Sequence, residues 1–249
     1  MMAFFSALRF LTPLPVPESW CGGERGLRQS AVFFPVVGLL IGAVAAAAGY
    51  GLDYVLPAFP ASVLIVVVPL VCSGGLHVDG LADTADGFFS ARSRERILVI
   101  MRDSRTGAMG VVAVAVVVLL KVALLTAIPG PERWRVVLLM PLAGRVSFLP
   151  TMALLPYARP EGGLATVFGT ERWRATLNAL WAVALLLAAG WMVSSVRGLI
   201  EAGASCAVAL LFAAYCRRKI GGYTGDTLGA TSEVVELVPA LVAAIWLSS

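Results

Sequence analysis

Three aspartates, Asp79, Asp83 and Asp86, follow one another at spacings of four and three residues. At about 100° per helical residue their carboxylates fall on one face, within about 60°. Like charges at these spacings destabilise a helix by a few tenths of a kcal/mol per pair, and no basic residue before Ala91 relieves them. Because carboxylate oxygens are the ligands that Mg²⁺ prefers, the stretch predicts a magnesium site. Asp226 is expected to complete it.

The alternative interpretation is that the three acids only form the solvated face of an amphipathic helix. A general base is also needed if the site activates a hydroxyl group. The only histidine, His77, lies beside the acids and could serve as acid or base, contact phosphate, or merely cap the loop. Glu233 is the other candidate base, and Asp83 is expected to take part in catalysis as well as in metal binding.

Arginines follow the acids, and their planar guanidinium groups suit phosphate oxygens. Together with a metal ion they indicate a phosphorylated substrate. The simpler interpretation, cytoplasmic anchoring of a membrane protein by positive charge, fits Arg94 and Arg96 best. The residues predicted to bind substrate phosphate are Arg92, Arg102, Asp103, Arg105, Arg145, Lys219 and Thr224.

A second polar cluster spans residues 217–237 and is rich in glycine, which allows close approach of the backbone to a ligand. Asp226 and Glu233 are seven residues apart and therefore share a helical face. The alternative for this cluster is an ordinary loop between helices. Two ionisable residues, Lys121 and Arg145, fall inside apolar segments, where an unpaired charge is costly and function is the default hypothesis.

The elements that must position these residues are membrane helices. The chain has 249 residues, of which 59% are hydrophobic and 14% charged, which is typical of a membrane protein and exceeds what one soluble core can bury. A span needs about 20 apolar residues. We predict an all-α, polytopic integral membrane protein with six or seven transmembrane helices, in one catalytic domain over residues 1–249. The candidate spans are about 31–50, 57–76, 107–128, 136–157, 175–195, 199–216 and 234–247.

Charge in the loops predicts the orientation. Fourteen of the nineteen Lys and Arg residues fall in one set of alternate loops and three in the other, and cytoplasmic loops retain positive charge. Both acidic clusters are therefore expected on the cytoplasmic side of the cytoplasmic (inner) membrane. The N-terminal segment is not expected to be a signal peptide, because it lacks a basic leader and a small-residue cleavage site. A short interfacial helix is predicted by the spacing of Phe4, Phe5, Leu8 and Leu11. The four cysteines imply neither a disulfide nor a zinc site.

Three segments carry a resemblance to a known family: HVDGLADTADG at 77–87, RDSRTG at 102–107 and GGYTGDTLGA at 221–230. In this order they resemble the cobalamin synthases, the adenosylcobinamide-GDP ribazoletransferases. The resemblance covers the whole chain. It implies a transferase of vitamin B12 biosynthesis that joins adenosylcobinamide-GDP to α-ribazole or its 5′-phosphate with Mg²⁺ and releases GMP.

Two other functions are compatible with the sequence. Asp83, Asp86, Gly87, Ala91 and Arg92 resemble the motif of CDP-alcohol phosphotransferases, but with one residue too many and without that family's downstream aspartate pair. An ion-coupled transporter is less favoured, because the acids gather at one membrane face and no internal repeat is found. The expected partners are the two substrates and membrane lipid, with no nucleic acid and a possible homo-oligomer.

Overall fold

A computed structural model describes residues 1–159, 161–168 and 171–248 of the chain. Within these residues every regular element is helical, and the only β-type pairing is an isolated bridge between Tyr157 and Tyr223. Two short 3₁₀ turns, Ser30–Phe33 and Leu164–Phe168, accompany the α-helices. The α-helices are α1 (Met2–Leu11), α2 (Glu18–Cys21), α3 (Gly23–Arg28), α4 (Phe34–Val55), α5 (Ala58–Cys72), α6 (Leu76–Phe88), α7 (Arg94–Ile100), α8 (Ala108–Ala127), α9 (Gly130–Val146), α10 (Phe148–Leu154), α11 (Arg172–Ile220) and α12 (Gly225–Ser248).

The long helices confirm the predicted all-α, polytopic membrane fold. Five helical segments in the described part of the chain are long and apolar enough to cross a membrane, and α5 with α6 makes a sixth, bent by 92°. The longest, α11, has 49 residues and would extend about 74 Å if straight. It breaks at Ser195, where φ is 53°, and the backbones of Gly190 and Gly198, on either side of the break, approach each other closely. The helix α11 therefore folds back on itself as two antiparallel arms.

Several predicted boundaries differ from the observed ones. The fourth predicted span, 136–157, is two helices, α9 and α10, separated at Ser147. The last span begins at Gly225, nine residues earlier than the predicted residue 234, because Thr224 caps the helix: its hydroxyl accepts a hydrogen bond from the backbone N–H of Thr227 at 3.2 Å. The second part of the glycine-rich cluster, from Gly225 onward, therefore forms the first turns of α12.

Helix α12 is the centre of the bundle and packs against α6, α8, α9 and α11. Its contact with α6 is close enough to exclude a side chain at Gly80. A Cβ atom at this position would lie 2.7 Å from the carbonyl oxygen of Asp226, which is inside any real contact distance. The glycine thus lets the α6 and α12 backbones touch, and this fixes the three α6 aspartates relative to the start of α12.

The N-terminal helix α1 packs on α2, α3 and the start of α4. It buries Ala7 and Leu11, and the ring of Phe10 stacks on Phe34 of α4 with centroids 5.8 Å apart. Met1 and Met2, at its N-terminal end, are exposed. A short helix is therefore present where one was predicted, and its place in the membrane interface stays a prediction. Its C-terminal residues Phe10 and Leu11 lie near the start of α6.

The close approach of α6 and α12 gives a stability prediction. Changing Gly80→Ala should lower the thermal unfolding midpoint of the detergent-solubilised protein, because the added methyl group meets backbone that cannot rotate away; overpacking of this kind costs about 1–3 kcal/mol. The matched control is Gly203→Ala in α11, where a Cβ meets nothing within 4 Å. Since alanine favours helix more than glycine does, that change should leave the midpoint unchanged or raise it. Equal effects at the two positions would contradict the described packing.

Candidate active site

A cavity of about 260 Å³ opens beside α6 and the first turn of α12. One end is polar and the other is aromatic. The polar residues that line it, apart from His77 and Tyr157, are Asp79, Arg102, Arg159 and Asp226. The apolar residues that line it are Phe10, Leu11, Phe34, Leu76, Phe148, Ala165, Phe168 and Leu228. The two acidic segments of the sequence therefore meet at one cavity, as the sequence predicted.

The three predicted metal-binding aspartates of the first segment all lie on α6. Asp79 lines the cavity, and Asp83 lies one turn further along the helix. The charge of Asp83 interacts with those of Asp79, Asp226 and Asp86, and also with that of Arg159. Within the described residues neither Asp79 nor Asp83 makes an ion pair or a side-chain hydrogen bond. These two carboxylates are therefore available to a ligand.

Asp86 has a different position. Its carboxylate accepts hydrogen bonds from the backbone N–H groups of Gly107, at 2.6 Å, and Gly110, at 2.8 Å. These groups stand at the N-terminus of α8, where the helix leaves N–H groups without an internal partner. Asp86 thus ties α6 to the start of α8, as a capping residue does. Both carboxylate oxygens of Asp86 accept these hydrogen bonds. A role of Asp86 in metal binding stays a prediction.

Asp226 is held by Arg159, which is one of the fourteen loop cations and was not predicted to belong to the site. The guanidinium of Arg159 donates a hydrogen bond to the Asp226 carboxylate at 2.6 Å, and the Thr224 hydroxyl lies 3.4 Å from the same oxygen. Arg159 is 67 residues from Asp226 and belongs to neither motif, so no spacing rule could have found it. Any metal at Asp226 would therefore share this carboxylate with Arg159.

The carboxylates do not form a preassembled metal cage. No group of three or more His, Cys, Asp or Glu side chains gathers in metal-binding geometry among the described residues. Mg²⁺, however, is usually held by one or two carboxylates together with substrate phosphate and water. The free carboxylates of Asp79 and Asp83 beside two arginines match this chemistry, which a phosphate-bearing substrate would complete.

The other predicted phosphate-binding residues are spread over the same surface. Arg102 lines the cavity and forms an ion pair with Glu161. Arg105 is exposed and donates to Asp103 at 2.9 Å; its hydrogen bonds lower the pKa of the Asp103 carboxyl to about 2. Arg92 is exposed and has no partner within the described chain.

Lys219 and Arg145 do not reach the polar end of the cavity. The Lys219 ammonium donates to the carbonyl oxygen of Phe88 at 2.7 Å, so it holds the C-terminus of α6. Arg145 is 1% exposed and forms an ion pair with Glu236 of α12. These two residues were predicted to bind phosphate, and their observed contacts are structural.

Arg145 belongs to a buried network that joins α6, α8, α9 and α12. Lys121 of α8 lies 2.7 Å from Glu233 and 2.6 Å from Glu236, both on α12. Arg145 contacts Glu236 from the opposite side and lies 3.1 Å from Nδ1 of His77. Two cations thus balance two carboxylates. Glu236 was missed in the sequence, although an acid three residues after Glu233 in an apolar helix is the signal that singled out Lys121 and Arg145.

This network determines how His77 faces the cavity. A guanidinium group can only donate hydrogen bonds, so Nδ1 of His77 must accept from Arg145. A neutral His77 then carries its proton on Nε2, which has no partner among the described residues. In this form His77 is a hydrogen-bond donor. Glu233, the other predicted base, is paired with Lys121 and does not line the cavity.

These features define a class of protein: a polytopic membrane protein whose acidic and arginine-lined cavity suits a metal-bound, phosphorylated substrate. The comparison with protein families gives the particular family. The chain belongs to the family described as cobalamin-5-phosphate synthase, whose model matches residues 3–244.

Curated relatives agree with this assignment, and each of the following is named adenosylcobinamide-GDP ribazoletransferase. The chain is 38% identical to the protein of Desulforamulus reducens, over 93% of both chains. It is 41% identical to that of Roseiflexus sp., over 93% of this chain and 85% of the relative. The protein of Acetivibrio thermocellus is 39% identical over 90% of each. No solved structure matches the chain significantly.

The charge balance of the buried network gives a second prediction. Lys121→Met should lower the free energy of unfolding by about 3–5 kcal/mol, because Glu233 and Glu236 are then buried with only Arg145 as a cation. The double change Lys121→Met with Glu233→Gln restores neutrality and should recover part of the loss. Thermal unfolding in detergent measures both.

Arg105→Met, which breaks an exposed ion pair, is the control and should leave the unfolding midpoint unchanged. If Lys121→Met were as stable as the parent protein, the network would not be the charge-balanced unit described. If the double variant were less stable than the single one, charge balance would not be the reason for its stability.

Proposed function

We propose that this chain joins adenosylcobinamide-GDP to α-ribazole or its 5′-phosphate, forming adenosylcobalamin or its 5′-phosphate and releasing GMP. The observation that carries the proposal is the convergence, at one cavity, of the two acidic segments with Arg102 and Arg159. A diphosphate substrate needs this combination of carboxylates and guanidinium groups. The family, whose listed relatives are named for this reaction, supplies the identity of the substrates.

The residues divide into three roles in this proposal. Asp79 and Asp83 would hold Mg²⁺, with Asp226 beside them at the start of α12. A bound metal ion would neutralise charge on the diphosphate. Arg102 and Arg159 line the cavity beside these carboxylates and would bind the phosphate oxygens. Asp86 and Lys219 support the site by fixing the C-terminal end of α6.

The attacking hydroxyl group of α-ribazole must lose its proton. Glu233 is too far inside the helix bundle for this role, since it pairs with Lys121 away from the cavity. His77 presents a donor, which suits a phosphate oxygen better than an alcohol proton. Asp79, which lines the cavity without a partner of its own, is therefore the group we assign to accept the proton.

We further propose that the site faces the cytoplasm from the inner membrane. The membrane fold supports the location, since several described helices are apolar and long enough to span a bilayer. The loops next to the cavity carry the excess of Arg, whereas the opposite end of the bundle places Arg133 and Arg197 in ion pairs with Asp53 and Glu132. Under the positive-inside rule the cavity end is cytoplasmic.

The reaction itself is the direct test. Purified protein in liposomes, given adenosylcobinamide-GDP, α-ribazole phosphate and Mg²⁺, should form GMP and the joined corrinoid in equal amounts. Omission of the ribazole substrate should stop both, because the leaving group departs only when the nucleophile attacks. Chelation of the metal should also stop both. Release of CMP from a CDP-linked lipid, without GMP formation, would instead assign the chain to lipid head-group transfer.

The same assay tests orientation when it is run in sealed membrane vesicles. The substrates carry several charges and do not cross a bilayer unaided, so inside-out vesicles should turn over substrate added outside. Right-side-out vesicles should be active only after permeabilisation. The reverse result would place the cavity on the outer face and contradict the orientation.

A further inference from the structure

The aromatic end of the cavity is built from four distant parts of the chain. Phe10 lies on α1, Phe34 at the start of α4, Phe148 at the start of α10 and Phe168 in the 3₁₀ turn Leu164–Phe168. The ring centroids of Phe10 and Phe168 are 4.9 Å apart, and Phe34 lies 5.2 Å from Phe168 and 6.0 Å from Phe148. All four line the same cavity as the carboxylates. We name these four residues the aromatic box.

The aromatic box has a defined chemical preference. Its side chains carry no hydrogen-bonding group, and three of the rings, those of Phe34, Phe148 and Phe168, are 5% exposed or less. Such a site binds a flat, apolar ring by stacking and edge contacts. It would leave the polar edges of a hydrogen-bonding ring without partners, which is costly.

Apart from the sugars, four ring systems occur in the proposed reaction: corrin, adenine, guanine and the base of α-ribazole. The preference of the aromatic box distinguishes them. The corrin ring is far too large for a cavity of about 260 Å³. Guanine, and the adenine of the adenosyl group, carry hydrogen-bond donors and acceptors along their edges, so both are poorly matched to phenylalanine side chains. The base of α-ribazole, 5,6-dimethylbenzimidazole, has two methyl groups and a single free ring nitrogen. It is the flat, apolar ring that the aromatic box fits.

We propose that the aromatic box binds the dimethylbenzimidazole base of α-ribazole and so selects the nucleophile. This inference rests on the proposed function and adds to it the subsite of one substrate. The box and the polar end share one cavity, with Asp79, Arg159 and Asp226 among the polar lining. With the base in the box, the attached ribose lies toward the carboxylates. Its hydroxyl group is thereby directed to the place where the diphosphate binds.

Kinetics with the full-length protein in liposomes tests the subsite. Phe168→Leu removes a ring and keeps an apolar side chain, and should raise the KM for α-ribazole about ten-fold, the scale of one lost base-stacking contact. The KM for adenosylcobinamide-GDP should stay within about two-fold of the parent value, because in the proposal only the base of α-ribazole contacts the aromatic box. Phe10→Leu, at a partly exposed ring on α1, provides a second variant should Phe168→Leu fail to fold.

The matched control is Phe4→Leu, which lies on α1 as Phe10 does. The ring of Phe4 packs on Phe33 and does not line the cavity. It should change neither KM. A rise in the KM for adenosylcobinamide-GDP alone would place guanine or the corrinoid in the box and overturn the assignment. Unchanged values for both substrates would overturn it too. If the parent protein formed no GMP, the proposed function itself would fail, which is a separate result.

Discussion

The balance of charge inside the helix bundle is the constraint on which the site depends. Lys121 and Arg145 are buried at 5% and 1% exposure, and they face Glu233 and Glu236, which are equally enclosed. An unpaired charge at this depth would cost several kcal/mol of free energy. Each helix that carries such a charge must therefore pack where a side chain of opposite charge can pair with it. The network therefore specifies the relative positions of α8, α9 and α12. It reaches the cavity through the contact of Arg145 with His77.

Helix α12 connects this network to the candidate active site. Asp226 in its first turn lines the cavity, while Glu233 and Glu236, two to three turns further, hold the two buried cations. Helix α6 is pressed against the first turns of α12 at Gly80. A change that shifts α12 to satisfy the buried charges would thus also shift Asp226 relative to Asp79. Stability and substrate binding are linked through one rigid helix.

The sequence was sufficient for the features that follow from composition and local spacing. The all-α membrane fold follows from apolar length, and the common helix of Asp79, Asp83 and Asp86 follows from helical periodicity. The sequence was insufficient where contacts join distant segments. The pair of Arg159 with Asp226, the capping role of Asp86 and the assembly of the aromatic box are set by tertiary packing, which no local pattern encodes. Lys219 was predicted to bind phosphate because its real partner, the carbonyl oxygen of Phe88, is 131 residues away and is not visible in the local sequence.

In the proposed reaction the free carboxylates of α6 would hold the substrate diphosphate through a metal ion. The most direct measurement is the rate of GMP formation as a function of Mg²⁺ concentration for Asp83→Asn, because Asp83 is assigned to the metal ion alone. This change keeps the shape of the side chain, and Asp83 has no ion pair or side-chain hydrogen bond within the described residues to lose. Turnover should fall by more than about 100-fold, the upper range seen for residues that only support a metal ligand, while the thermal unfolding midpoint stays at the parent value. Turnover within a few-fold of the parent at saturating Mg²⁺ would contradict the account and leave these acids as a solvated helix face.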